Sequence, residues 1–115
     1  MARKRVPKTF DEFVEAFPAA GRAWEILGAA GRESGPLDAK TCQLVKLGIA
    51  MGIRSAGAVH SAVRKAIQAG AGRDDLYQVV LLAASTIGLP NAVAAYTWVR
   101  DEAGAPRPRR IPARR

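Results

Sequence analysis

The chain has 115 residues, a single cysteine and a formal charge of +8. That length accommodates one domain with one core, and a helical domain of this size gains robustness from tight packing or from partner subunits. The lone Cys42 excludes an intramolecular disulfide, a CxxC redox pair and a cysteine-rich zinc site.

The charge is lopsided. Residues 1–8 hold Arg3, Lys4, Arg5 and Lys8, residues 104–115 hold five arginines, and neither stretch contains an acid. Between 9 and 103, nine basic residues face ten acidic ones, so the body is close to neutral. This divides the chain into a basic flexible N-terminus (1–8), a helical domain (9–103) and a disordered Pro/Arg tail (104–115). No apolar run approaches the roughly 20 residues of a membrane span, and the basic start leads into no signal-like stretch. A soluble, cytoplasmic protein without membrane association is expected.

In chain order, Thr9 reads as an N-cap followed by Asp11 and Glu12 in a first turn, with a helix starting at Phe10. Phe10, Phe13, Val14 and Phe17 share one face, and the helical period resumes after Pro18 through Trp24, Ile26 and Leu27. This predicts one kinked helix or two short ones. Gly31 and Ser34-Gly35-Pro36 break the pattern, and Asp38 caps an apolar helix over Ala39–Met51. After a connection at 52–57, a helix over Ala58–Ala69 ends at Gly70. It carries an inward stripe of Val59, Val63, Ala66 and Ile67, with position 62 also facing inward, and a flank of His60, Arg64 and Gln68. Arg73-Asp74-Asp75 opens a helix that is apolar almost all round, which one layer of neighbours in so short a protein cannot cover; subunit interfaces are expected. Gly88-Leu89-Pro90-Asn91 reads as a break before a last helix over Ala92–Glu102.

Residues 37–99 resemble the carboxymuconolactone decarboxylase and alkylhydroperoxidase-D-like family. The resemblance lies in the Leu37-Asp38 helix start, the alanine-rich helix ending Ala69-Gly70-Ala71, the acidic turn Asp74-Asp75, and Gly88-Leu89-Pro90 before the last helix. It implies an all-α orthogonal helical bundle of about six helices, assembled as a homo-oligomer, trimer or hexamer. The hydroperoxidase branch of the family uses CxxC, a histidine four residues later and a glutamate one helix earlier. Those positions fall here at Ser55, Ala58, Ala62 and Gln43, so none of the four groups is retained. A serine hydroxyl is too weak an acid to replace a peroxidatic thiolate, which argues against thiol peroxidase chemistry. The decarboxylase branch resembles EGxxxxHxR. Gly57 and Arg64 fit that pattern, whereas Ala56 and Ala62 stand at its carboxylate and histidine positions.

The resemblance and the residues together place any activity on His60 and Arg64, with Gln43 polar in the same pocket. His60 is a general base on the sharp reading and a solvated helix residue on the plain one. Arg64 either forks a carboxylate ligand or forms an ion pair across a subunit boundary. Cys42 reads as a small buried hydrophobe rather than a reactive thiol, and Trp24, Tyr96 and Trp98 read as core or interface anchors. One histidine without a carboxylate cluster holds no metal, and nothing calls for a cofactor. The functional expectation is a family member that binds or acts on a small anionic organic molecule as a lyase or proton-transfer enzyme. The rivals are an inactive or engineered oligomeric scaffold, and an alkylhydroperoxidase-like oxidoreductase. The tails support non-specific polyanion contact at most.

Overall fold

A computed structural model of the chain describes residues 8–108. These form six α-helices and, among the described residues, no strand: α1 (Lys8–Ala16), α2 (Pro18–Glu33), α3 (Ala39–Gly52), α4 (Ala56–Gln68), α5 (Arg73–Ile87) and α6 (Leu89–Ala103). They group into two compact units, with the boundary inside α3 between Cys42 and Gln43. Most of the basic N-terminus and the tail from residue 109 lie outside the described residues.

In the first unit Pro18 decides between one kinked helix and two. It occupies the first position of α2, where its missing N–H is not needed, and it pushes Phe17 out of the helical region to φ −133°, ψ 73°. Thr9 does not cap α1; it lies within it, because the helix already includes Lys8. Nor does Gly31 end α2, which continues to Glu33 and closes with Ser34 bonding back to the Gly31 carbonyl through both its amide and its hydroxyl. The two helices approach at Gly21, where a Cβ would lie 2.8 Å from Val14 Cγ1. Phe10 meets Trp24 edge to face at 5.3 Å, and Phe13 meets Phe17 at 5.2 Å. Gly21 is the one buried residue of α1 and α2; Phe13, Phe17, Trp24, Ile26 and Leu27 are exposed.

Asp38 caps α3 as its side chain suggests: Oδ1 accepts the Thr41 amide at 2.8 Å, and its carbonyl takes the Cys42 amide. From Gln43 onward α3 belongs to the second unit and buries Gln43, Leu47, Ala50 and Met51, a stripe at helical spacing. Helix α4 starts two residues earlier than the apolar pattern indicates, because Ser55 is its N-cap; Oγ accepts the Ala58 amide at 3.2 Å. The preceding Arg54 takes a left-handed conformation, φ 57°, and its guanidinium donates to Asn91 Oδ1 at 3.1 Å. Gly70, at φ 103°, lets the Ala71 amide return to the Ala66 carbonyl and closes α4.

Helix α5 opens with the Asp75 carboxylate accepting the Gly72 amide at 2.9 Å; glycine has no side chain to return the bond, so only half of a capping box forms. The expected break at Gly88–Asn91 is shorter than the residue types suggest. Gly88 alone turns the chain, at φ 93°, and α6 starts at Leu89 with Pro90 in its first turn, where proline is tolerated. Helix α6 packs against both α4 and α5. The core of this unit has Leu47, Met51, Val59, Val63, Leu76 and Val99 fully buried, each worth about 1.5–3 kcal/mol of removal from water. The alanines Ala62, Ala66, Ala92 and Ala95 complete it and leave little side chain to hold the backbones apart. Helix α5 is not covered all round within one chain: Leu76, Tyr77 and Val80 are buried, whereas Leu81 and Leu82 are exposed.

Candidate functional site

His60 sits in the second turn of α4, and Arg64 follows one turn later on the same flank. Both point at one carboxylate. His60 Nδ1 lies 2.8 Å from Glu102 Oε2, and Arg64 Nη1 donates to the same oxygen at 3.0 Å. Glu102 and Arg64 side chains are each 14 % exposed and His60 is 26 % exposed, so the cluster is mostly withdrawn from water while the imidazole keeps an opening to it. On the other ring nitrogen, Nε2 is 3.7 Å from Asp101 Oδ2, and Asp101 is half exposed.

Carboxylates face both ring nitrogens, and the Glu102 contact at Nδ1 is the shorter. An ionised carboxylate only accepts, so the proton facing Glu102 is on Nδ1 and the lone pair of the neutral ring is on Nε2. Arg64 balances the Glu102 charge. With Asp101 counted, the four groups sum to one negative charge when His60 is neutral and to zero after Nε2 takes a proton. Arg64 is thus part of an ion pair within one chain.

Gln43 is brought into the same unit but not onto this cluster; no hydrogen bond among the described residues joins it to His60 or Arg64. It lies on the buried stripe of α3, 8 % exposed, and among the described residues its Oε1 is a buried acceptor with no hydrogen-bond partner. An unmet buried acceptor costs about 1–3 kcal/mol. The remaining positions of the thiol pattern do other work: Ser55 spends its hydroxyl on the α4 cap, and Ala62 is a buried core residue. Cys42 Sγ is 3.5 Å from the Leu37 carbonyl and half-buried. Tyr96 and Trp98 pack against the core, and Trp24 against Phe10.

Glu102 and Asp101 overturn the expectation that the single histidine has no carboxylate beside it. They lie 42 and 41 positions away in sequence, beyond any local spacing pattern. One sequence signal did point to them: two acids in the last turn of a helix oppose the negative end of its dipole, an arrangement worth avoiding unless a cation or donor faces it. Among the described residues no group of three His, Cys, Asp or Glu side chains is placed to hold a metal ion. No helix among them is long and apolar enough to cross a membrane.

Compared with known proteins, the chain matches the carboxymuconolactone decarboxylase family over residues 18–101. It belongs to that family. The six helices agree with the all-α bundle that the resemblance implied. No curated protein and no solved structure matched the chain. The family segment contains His60, Arg64 and Asp101 and stops one residue short of Glu102, the group on which the two α4 side chains converge.

Proposed function

We propose that this family member is a proton-transfer or lyase-type enzyme acting on a small anionic organic molecule, without thiol peroxidase chemistry. The observation that carries the reading is the Glu102 carboxylate, held at 2.8 Å from His60 Nδ1 and charge-balanced by Arg64. His60 Nε2 is the base. It takes a proton from a carbon made acidic by a neighbouring lactone carbonyl, Glu102 stabilises the imidazolium that forms, and Asp101, half exposed at 3.7 Å, passes the proton to water. The new imidazolium faces the developing enolate through Nε2, while Arg64 stays paired with Glu102. A carboxylated lactone, the compound class in the family's name, has the required chemistry.

The protein is further proposed to act as a homo-oligomer, trimer or hexamer. Val45, Ile49, Ile53, Leu81, Leu82, Leu89 and Val93 are large apolar side chains left exposed by the second unit, and a second copy of the chain is the cover proposed for them. Native mass spectrometry of freshly purified protein tests both parts. Expected is a symmetric oligomer that retains or takes up a carboxylated lactone, with the added mass lost in His60→Ala. A ligand-free oligomer that takes up no such compound favours the scaffold reading. Peroxide turnover with a thiol donor, abolished by Cys42→Ser, contradicts the chemistry proposed.

A further inference from the structure

The chain leaves α6 two residues after Glu102, and its exit is held from the other side of the helix. Gly104, at φ 81°, turns the backbone while its amide donates to the Arg100 carbonyl at 2.9 Å. The Tyr77 hydroxyl donates to the Gly104 carbonyl at 2.6 Å, and Arg73 Nη1 donates to the Ala105 carbonyl at 3.0 Å. Tyr77 and Arg73 are one turn apart at the start of α5, so both reach the exit from a single helix face. The Tyr77 ring also meets Tyr96 of α6 at 5.7 Å, and the Arg100 guanidinium covers Tyr96 at 5.5 Å. Burial raises the Tyr77 phenol above its usual value, so it remains a donor at neutral pH.

We infer that Tyr77 and Arg73 are positioning residues: by clamping the two carbonyls after α6 they set the rotation of its last turn, and with it the approach of Glu102 to His60. A helix end frays unless its terminal carbonyls are satisfied, and Glu102 lies in the turn that would fray. Packed against both α4 and α5, α6 carries the coupling from the clamp to the imidazole. The inference rests on the His60–Glu102 pair of the proposed site but needs no turnover to be tested.

The test is nitrogen-15 NMR of His60 in the full-length protein, which reports the ratio of the Nδ1–H to the Nε2–H tautomer at neutral pH. In the unaltered protein Nδ1–H should dominate. Tyr77→Phe, which keeps the ring and removes the donor, and Arg73→Ala, at an exposed position, should each lower that ratio roughly two- to tenfold, the equivalent of one hydrogen bond. Arg73→Lys should restore part of the loss. Reduced melting temperature with an unchanged tautomer ratio in both variants would make the clamp merely structural and overturn the inference. An absence of Nδ1–H dominance in the unaltered protein would instead overturn the His60–Glu102 pair itself, so the two failures are distinct.

Discussion

The two units use similar apolar residues to different ends. In the unit ending at Cys42, the phenylalanines, Trp24, Ile26 and Leu27 lie along regular helical stripes, yet only Gly21 of α1 and α2 is buried. In the unit beginning at Gln43, stripes of the same kind close over Leu47, Val63, Leu76 and Val99 and bury them fully. Apolar periodicity thus reports which face of a helix wants cover, not what supplies it. Helix α5 contains both cases, since Val80 is 4 % exposed and Leu82, two residues on, is 61 % exposed.

The sharpest way to break this comparison is a charge on each side of it. Val80→Glu places a carboxylate in the core, where an unpaired charge costs several kcal/mol, and circular dichroism should show loss of the helical fold. Leu82→Glu and Ile49→Glu, both on the face proposed to be covered by a second copy, should keep full helix content while sedimentation shows a smaller species than the unaltered protein. An unchanged sedimentation of both would remove the subunit-cover argument. Next in size, Glu102→Ala leaves the mostly buried Arg64 without its partner and should lower stability by about 1.5–3 kcal/mol in urea unfolding, the range for hydrogen bonds to charged groups.

A smaller effect is expected from alkali. Burial raises the Tyr77 phenol and the nearby Tyr96 adds to this, whereas Arg100 and Arg73 pull it back. A raised folded-state value means the folded protein holds the proton longer than the unfolded chain does. That stabilisation is present in full below the usual phenol range near pH 10 and is lost as pH rises through the higher folded value. Tyr77→Phe should therefore flatten the alkaline limb of the melting-temperature profile. The smallest change is at Asp38, whose carboxyl is held below its usual value by the Thr41 amide and then the Thr41 hydroxyl, with the nearby Lys40 a lesser aid. Its contribution is present above the ordinary aspartate range and lost as pH falls through the lower folded value, so Asp38→Asn should weaken the acid dependence of the α3 start as read by amide exchange.

Much of the fold was legible because its signals are local. The Asp38 cap, the left-handed Gly70, the inward position 62 and the order of the last four helices each follow from residues within a turn or two of one another. The boundaries that shifted turned on position within a helix: Pro18 and Pro90 look like breaks and act as starts, and Ser55 is a cap hidden by the Gly52–Gly57 stretch. The site was half legible. His60 and Arg64 share a flank at one-turn spacing, but the carboxylate they meet arrives from a different helix, and only the packing of α4 on α6 brings it there. Gln43, expected as a polar group in the same pocket, lies on the buried face of α3 with no hydrogen bond to either among the described residues.

The most direct test of the central claim is deuterium wash-in from heavy water at the acidic carbon of a carboxylated lactone, followed by mass spectrometry across a panel of such compounds. The unaltered protein should exchange that position well above the solvent background. His60→Ala should abolish the exchange, and Glu102→Gln should slow it by roughly 10²–10⁴-fold, the contribution of a positioned acid–base group. Exchange equal in all three proteins, or absent in the unaltered one across the panel, would contradict a proton-transfer site at His60.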